Sequence, residues 1–247
     1  MDFKVFLSLI VILGATIFQA SLEANLINSS SHSLFKTVDD VEFYSQANQD
    51  KFVYFILYGL LNKQDKGHYL EIGAGEPIYI NNSYFFEKNL QWDGISIDIS
   101  IDLAERWYAV RKNLLFSEDA TQSNYSALLK PFPQVIDYLS LDVDGYYDVV
   151  LEKLICSNHV FKVITIEHDF YRYGDLYRQK ERKILKDLGY YLLCSDVSND
   201  GYAFEDWWIH PDFFPPSIFS KLTTLDLQAK NCKEITQAIR SAVHTSK

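Results

Sequence analysis

The 247-residue chain has only three cysteines, Cys156, Cys194 and Cys232. No two stand close together, which excludes a metal-knuckle spacing, and an odd number cannot close a full disulfide framework. They read as idle thiols that pack like small hydrophobes. The chain also lacks any long run of lysine or arginine and carries a net charge of -10, so nucleic acid is not an expected partner. No internal repeat at a fixed period is present. Three residues after Gly75 stands Ile78, so the stretch HYLEIGAGEP (68–77) lacks the third glycine of a dinucleotide fingerprint. No Lys-Ser or Lys-Thr pair follows, which excludes a P-loop. What the chain does have is apolar material: 48% hydrophobic and 15% aromatic residues, enough for a large core in one domain or two.

The N-terminus stands apart. One lysine, Lys4, precedes an apolar run from Val5 to Phe18. That run is short for a membrane span and fits the apolar region of a signal peptide, with Ala20 and Ala24 as cleavage positions. A short signal anchor and a buried helix are the alternatives. Residues 1–24 are therefore expected to be a signal peptide or anchor, 25–42 a polar linker, 43–216 the folded domain and 217–247 a helical tail. This organisation predicts a secretory-pathway protein, exported or membrane-anchored, touching the membrane only through its N-terminal segment; a cytoplasmic protein is the alternative. Asn28-Ser29-Ser30, Asn81-Asn82-Ser83 and Asn124-Tyr125-Ser126 match the N-glycosylation triplet.

Along the domain, strands alternate with helices. SQANQDKFVYFILYGLLN (45–62) has helical spacing of Phe52, Phe55, Ile56 and Leu60. Strands are predicted at 68–72, at GISIDIS ending on Asp98, at 113–120, at 135–145 and at 161–169. Between them lie helical segments, one of them capped by Asn81 or Asn82. The amphipathic stretch DLYRQKERKILKDLGY ends at Gly189, and YYLLCSDV and FEDWWIHP close the sheet. This order predicts an α/β protein with a mostly parallel sheet covered on both faces. Ligands in such sheets sit at the carboxyl ends of the strands. Here those ends are acidic: Glu71, Asp98, Asp119, Asp142 and Glu167. Carboxylates suit hydroxyls, amines and cations better than bare phosphate. Gly73 and Gly75 permit a tight turn and close approach of a ligand to backbone. Asp98 is placed to accept from ribose hydroxyls, and Asp119-Ala120 to meet an adenine amine.

SQANQD at 45–50, YLEIGAGEP at 69–77, NNSYFFEKN, WDGISIDIS at 92–100, LSLDVDGYYDVVLEKL at 139–154 and ITIEHD at 164–169 together resemble the FkbM-type methyltransferases, a branch of the class I S-adenosylmethionine-dependent superfamily. The likeness covers roughly 45–210. It implies a Rossmann-like three-layer sandwich whose seven-stranded sheet has an antiparallel last strand. It implies S-adenosyl-L-methionine as cofactor, held by Glu71, Gly73, Ala74, Gly75, Asp98, Asp119 and Ala120, with Asp142 facing the methyl group and acceptor. Pro77 departs from the wider pattern, which has glycine there, and Asp144 stands where many relatives carry glutamate.

Such relatives usually methylate hydroxyls on sugars or polyketides, so the expected partner is a small-molecule or glycan acceptor. A hydroxyl nucleophile needs a base or a metal. His168 is the base candidate by type, with Asp142 and Asp144 as rivals. Mg2+ is the other route, with Asp142, Glu167 and His168 as candidate ligands and Asp144, Glu205 and Asp206 as further donors. Two other functions remain open: a metal-dependent glycosyltransferase using Asp142-Val143-Asp144 as a D-x-D clamp, and a non-catalytic binding protein on a methyltransferase-like fold.

Overall fold

The computed structural model describes residues 41–244, and the compact unit begins at Phe43. The apolar leader, the linker up to residue 40 and the Asn28 triplet lie outside the described residues. Among those described, no helix is long and apolar enough to cross a membrane.

The described residues open with helix α1 (Gln49–Tyr54), continued by a π-helical stretch, Phe55–Leu60. Then follow β1 (His68–Ile72), α2 (Tyr84–Leu90), β2 (Asp93–Asp98), α3 (Leu103–Tyr108) and β3 (Leu114–Ser117). The second half has α4 (Tyr125–Leu128), β4 (Val135–Leu141), α5 (Tyr147–Ile155), β5 (Val160–Glu167), α6 (Phe170–Tyr173) and α7 (Asp175–Asp187). The hairpin β6 (Tyr191–Asn199) and β7 (Tyr202–Ile209) comes next, then α8 (Pro216–Thr223) and α9 (Cys232–His244).

The seven strands form one sheet in the order β3-β2-β1-β4-β5-β7-β6. β7 is antiparallel to both β5 and β6, and the other pairings are parallel. This is the class I methyltransferase arrangement, in agreement with the expected fold class. The central strands are buried along nearly their whole length, as the near-continuous apolar runs of β4 and β5 require. One core cluster joins Leu70, Ile97, Leu139 and Ile164 to Tyr147, Leu151 and Leu185 of the helices on one face. Residues 217–247 supply α9, which packs against α1, its π-helical extension and β6. The short helices α3, α4 and α6 escape a reading by periodicity, because four to six residues carry barely one helical repeat.

The strand order reverses at β1 and β4, so a crevice opens where their carboxyl ends diverge. Both chains leave the sheet tightly there. Gly73 N–H donates to the Ile97 carbonyl at 2.8 Å, and Asp142 N–H to Ile72 at 2.8 Å.

Candidate functional site

Gly73 has φ +80°, and a Cβ there would run into the Asp142 carbonyl, so the two loops approach only because this residue is glycine. Gly75, at φ +57°, is different: a Cβ there would meet nothing within 4 Å. Its position faces open space, leaving its surroundings clear for another molecule. Ala74 is buried; its N–H donates to Ile97 and its carbonyl accepts from Asn81 Nδ2 at 3.0 Å. The loop after β4 is also unusual. Asp144, Gly145 and Tyr146 all have positive φ, at 53°, 130° and 57°. Strain of this kind is kept where surrounding structure enforces it, and here Tyr173 donates to the Asp144 carbonyl at 2.9 Å while Arg172 ion-pairs with its carboxylate at 3.2 Å.

These loops line a cleft of about 850 Å³. Gly73, Gly75, Asp98, Asp119, Ala120 and Asp142 all contribute to its wall. Asp98 Oδ2 accepts from Gly75 N–H at 2.8 Å and Oδ1 from Ser100 N–H at 2.8 Å, so one carboxylate orders the loops after both β1 and β2. Asp119 Oδ1 accepts from the Thr121 N–H and hydroxyl at 2.8 and 2.7 Å, and these bonds hold its carboxyl below the usual range. The Ala120 carbonyl accepts from the Tyr125 hydroxyl at 2.9 Å.

A second cleft, of about 490 Å³, shares Asp142 and Asp144 with the first. Its remaining lining includes Gln46, Glu167, Asp169, Asn199, Tyr171 and Tyr202. The last two rings lie 5.6 Å apart and are largely exposed. Burial pushes the Asp142 carboxyl up to about 6, with the charge of Asp144 adding and a hydrogen bond with Glu167 opposing. Burial and the neighbouring Asp142 push Glu167 well up too. Each carboxyl thus raises the proton affinity of the other, and the two titrate as a pair.

Glu71 stands apart from the other acidic strand ends. It is 2% exposed and outside the lining of both clefts. Its oxygens accept from the Ser83 hydroxyl and Ser96 hydroxyl, each at 2.8 Å, and from Ser83 N–H at 3.1 Å. Beside it the buried Arg111 donates to Glu87 at 2.6 Å, Ser83 Oγ at 2.8 Å, Tyr69 at 2.9 Å and the Pro77 carbonyl at 2.9 Å. Burial pushes the Glu71 carboxyl up, and the Arg111 charge is the largest counterweight. The network pins residues 77–83, the return from the glycine loop into α2. Pro77, which departs from the wider class I pattern, is thereby an anchored point of that return. Asn81 assists: its Oδ1 accepts from Tyr84 N–H at 2.7 Å at the start of α2, although the N-cap residue is Ser83 rather than Asn81 or Asn82.

His168 lies elsewhere than a base would. It is fully buried and outside the lining of both clefts. Nδ1 accepts from Phe170 N–H at 3.2 Å, which leaves Nε2 as the protonated nitrogen of the neutral ring. Nε2 faces Asp206 Oδ1 at 3.5 Å. Asp206 in turn ion-pairs with Arg182 at 2.6 Å, and Asp196 with Arg178 and Arg182 at 2.6 and 3.0 Å. Burial opposes ionisation of Asp206, but Arg182 and His168 outweigh it and hold the carboxyl low.

The candidate magnesium ligands are thus not gathered. Asp142 and Glu167 face the second cleft, while His168 points to Asp206. Glu205 is spent on Gln49 at 2.8 Å and Trp207 at 2.6 Å. Among the described residues, His168, Asp196 and Asp206 bring ligand atoms within 4.8 Å of one another. Two guanidinium groups already neutralise that cluster, which disfavours a further cation.

Residues of SQANQD also enter the site, through contacts that spacing does not reveal. Asp50, fully buried, accepts from Tyr44 N–H at 2.6 Å and from the Ser45 hydroxyl at 2.5 Å, holding the turn that brings Gln46 to the second cleft. Gln49 crosses to Glu205 on β7. Asp169 of that cleft closes the ITIEHD stretch, whereas Asn199 and Tyr202 carry no motif of their own.

No protein-family model matches the chain. No curated protein matches it either. Solved structures similar to it include an O-methyltransferase from Bacillus cereus with S-adenosylhomocysteine, 13% identical over 75% of this chain and 89% of that one, TM-score 0.46. A precorrin-6y C5,15-methyltransferase from Geobacter metallireducens is 14% identical over 64% of this chain and 86% of that one, TM-score 0.43. A small RNA methyltransferase is 14% identical, TM-score 0.42; 64% of this chain is covered but only 24% of that longer one. The values are low, and the fold assignment rests on the strand order itself.

Proposed function

We propose that the chain is an S-adenosylmethionine-dependent methyltransferase of the FkbM type that methylates a hydroxyl of a sugar or similar small acceptor. One observation carries this reading: the open Gly75 position, Asp98 and Asp119 line one cleft, and Asp142 joins it to a second. The fit to the cofactor is chemical. Asp98 accepts from ribose hydroxyls, and the Asp119–Ala120 segment meets the adenine. The open space at Gly75 admits a ligand beside the backbone, and a carboxylate-rich wall suits a cation better than a pyrophosphate. When bound, S-adenosylmethionine supplies a methyl group activated by its sulfonium.

The chain's own residues do the rest. Tyr171 and Tyr202 offer flat ring faces to a sugar in the second cleft. Asp142, ionised above about pH 6, accepts the hydroxyl proton of the acceptor. Glu167, its carboxyl held well up by burial and by Asp142, hydrogen-bonds with Asp142 and keeps it in place. Asp144 orders the loop through Arg172 and Tyr173. His168 supports the end of β5 from below and is not the base.

Calorimetric titration of the full chain with S-adenosylhomocysteine tests the reading. Binding is expected to weaken by roughly 100-fold in Asp98→Ala, from two lost hydrogen bonds to a charged group. Absence of binding by folded protein refutes the reading. Manganese-dependent binding of a nucleotide sugar would support the D-x-D alternative instead.

A further inference from the structure

At the edge of the sheet opposite both clefts, where β4 and β5 begin and α5 and α7 end, a third cavity of about 470 Å³ enters the core. Its inner wall includes Leu139, Leu151, Phe161, Ile164 and Leu185, each between 1% and 4% exposed. Two more lining residues are aliphatic and exposed: Ile155 at 39% and Leu188 at 40%. An apolar lining that continues from the core to exposed side chains is unlike an ordinary solvated surface, and a cavity so lined favours apolar matter over water.

The polar groups in the lining are few, and some are already used. Gln134 donates to the Asn158 carbonyl, and His159 Nδ1 faces Ser157. Tyr190 and His210 have capacity left. The Tyr190 hydroxyl accepts from Phe161 N–H at 2.9 Å, which leaves its own proton uncommitted. His210 Nδ1 is buried with no hydrogen-bond partner; the nearest carboxylate, of the exposed Asp212, is 4.0 Å away. The Tyr190 and His210 rings pack edge to face with centroids 4.9 Å apart, so the two residues are neighbours in the lining. A buried polar atom without a partner costs free energy unless a ligand satisfies it.

We propose that this cavity binds a small single-chain amphiphile, its alkyl chain in the Leu/Ile/Phe-lined interior and its carboxyl group hydrogen-bonded by Tyr190 and His210. The size, the apolar lining and the paired polar groups match the general make-up of small-molecule sites. The site is separate from the clefts of Asp98 and Asp142 and stands whether or not the chain is a methyltransferase.

The experiment is calorimetry on the full chain with decanoate and, as a headless control, decanol, both below micelle formation. Saturable decanoate binding with a Kd on the order of 10–100 μM is expected. Leu188→Glu, at an exposed position, should weaken decanoate at least tenfold by charge repulsion. His210→Phe keeps the ring volume and should weaken decanoate about tenfold while leaving decanol unchanged. Circular dichroism establishes that each variant is folded. No saturable binding up to about 1 mM, or equal affinity in wild type and both variants, overturns the proposal. So does loss of decanoate binding in Asp98→Ala but not in Leu188→Glu, which would place the acid in the other cleft.

Discussion

Glu181 on α7 is 1% exposed, and neither of its carboxylate oxygens has a hydrogen-bond partner. Burial, followed by the charges of Asp206 and Asp148, pushes its carboxyl from 4.5 up to about 9, against the pull of Arg182. The folded protein therefore keeps a proton here that the unfolded chain has released above 4.5. With the folded value raised, the unfolded state binds fewer protons, so stability falls as pH rises through the interval from 4.5 to about 9. Each pH unit in that window costs about 1.4 kcal/mol for one proton, or roughly 3 kcal/mol between about pH 6 and pH 8. Glu181→Gln keeps the shape and removes the titration. Urea unfolding of both proteins at the two pH values isolates the contribution, since the other titrating groups are common to both. The variant should gain on the wild type by about 2–3 kcal/mol from the lower pH to the higher. A difference that stays constant with pH would mean that Glu181 is solvated or ionised in the folded protein, and the reasoning would fail.

Gly73→Ala should abolish folding or cost more than about 4 kcal/mol, because the new methyl meets the Asp142 backbone; soluble, stably folded variant in chemical unfolding would contradict this. Gly75→Ala meets no atom, so only the left-handed backbone is penalised, by about 1 kcal/mol, while S-adenosylhomocysteine affinity falls as the methyl enters the cleft. Arg111→Met leaves Glu71 and Glu87 buried without their cation, a loss of about 3–5 kcal/mol that denaturant unfolding would detect; a loss under about 1 kcal/mol would show the network to be dispensable. The transfer rate should rise with pH through about 6 as Asp142 ionises, and Asp142→Asn should remove both the activity and that limb; a profile unchanged in the variant would exclude Asp142 as the base.

The difference between Gly73 and Gly75 shows where sequence reading stops. Both stand in one Gly-Ala-Gly turn, and both permit positive φ. Only the path of the Asp142 loop makes the first a packing requirement and the second an open position. The sheet itself was legible, because strands buried on both faces write themselves as continuous apolar runs ending at a cleft edge. Asp98, Asp119 and Asp142 share that edge because each stands at, or within two residues after, the carboxyl end of its strand.

Side-chain direction is what period and spacing cannot supply. Glu71, although one residue from its strand end, turns into a buried cradle of Ser83, Ser96 and Asn81. His168 occupies the position after Glu167, so the alternation of a strand sends it to the other side, toward Asp206 and α7. By the same alternation Glu167 faces the cleft with Asp142. Two adjacent titratable residues are thereby divided: the carboxyl lines the cleft, and the imidazole joins the Arg182–Asp206 pair that ties β7 to α7. Which of the two side chains reaches the cleft follows from the parity of one strand, and it leaves Asp142 and Glu167 facing each other there.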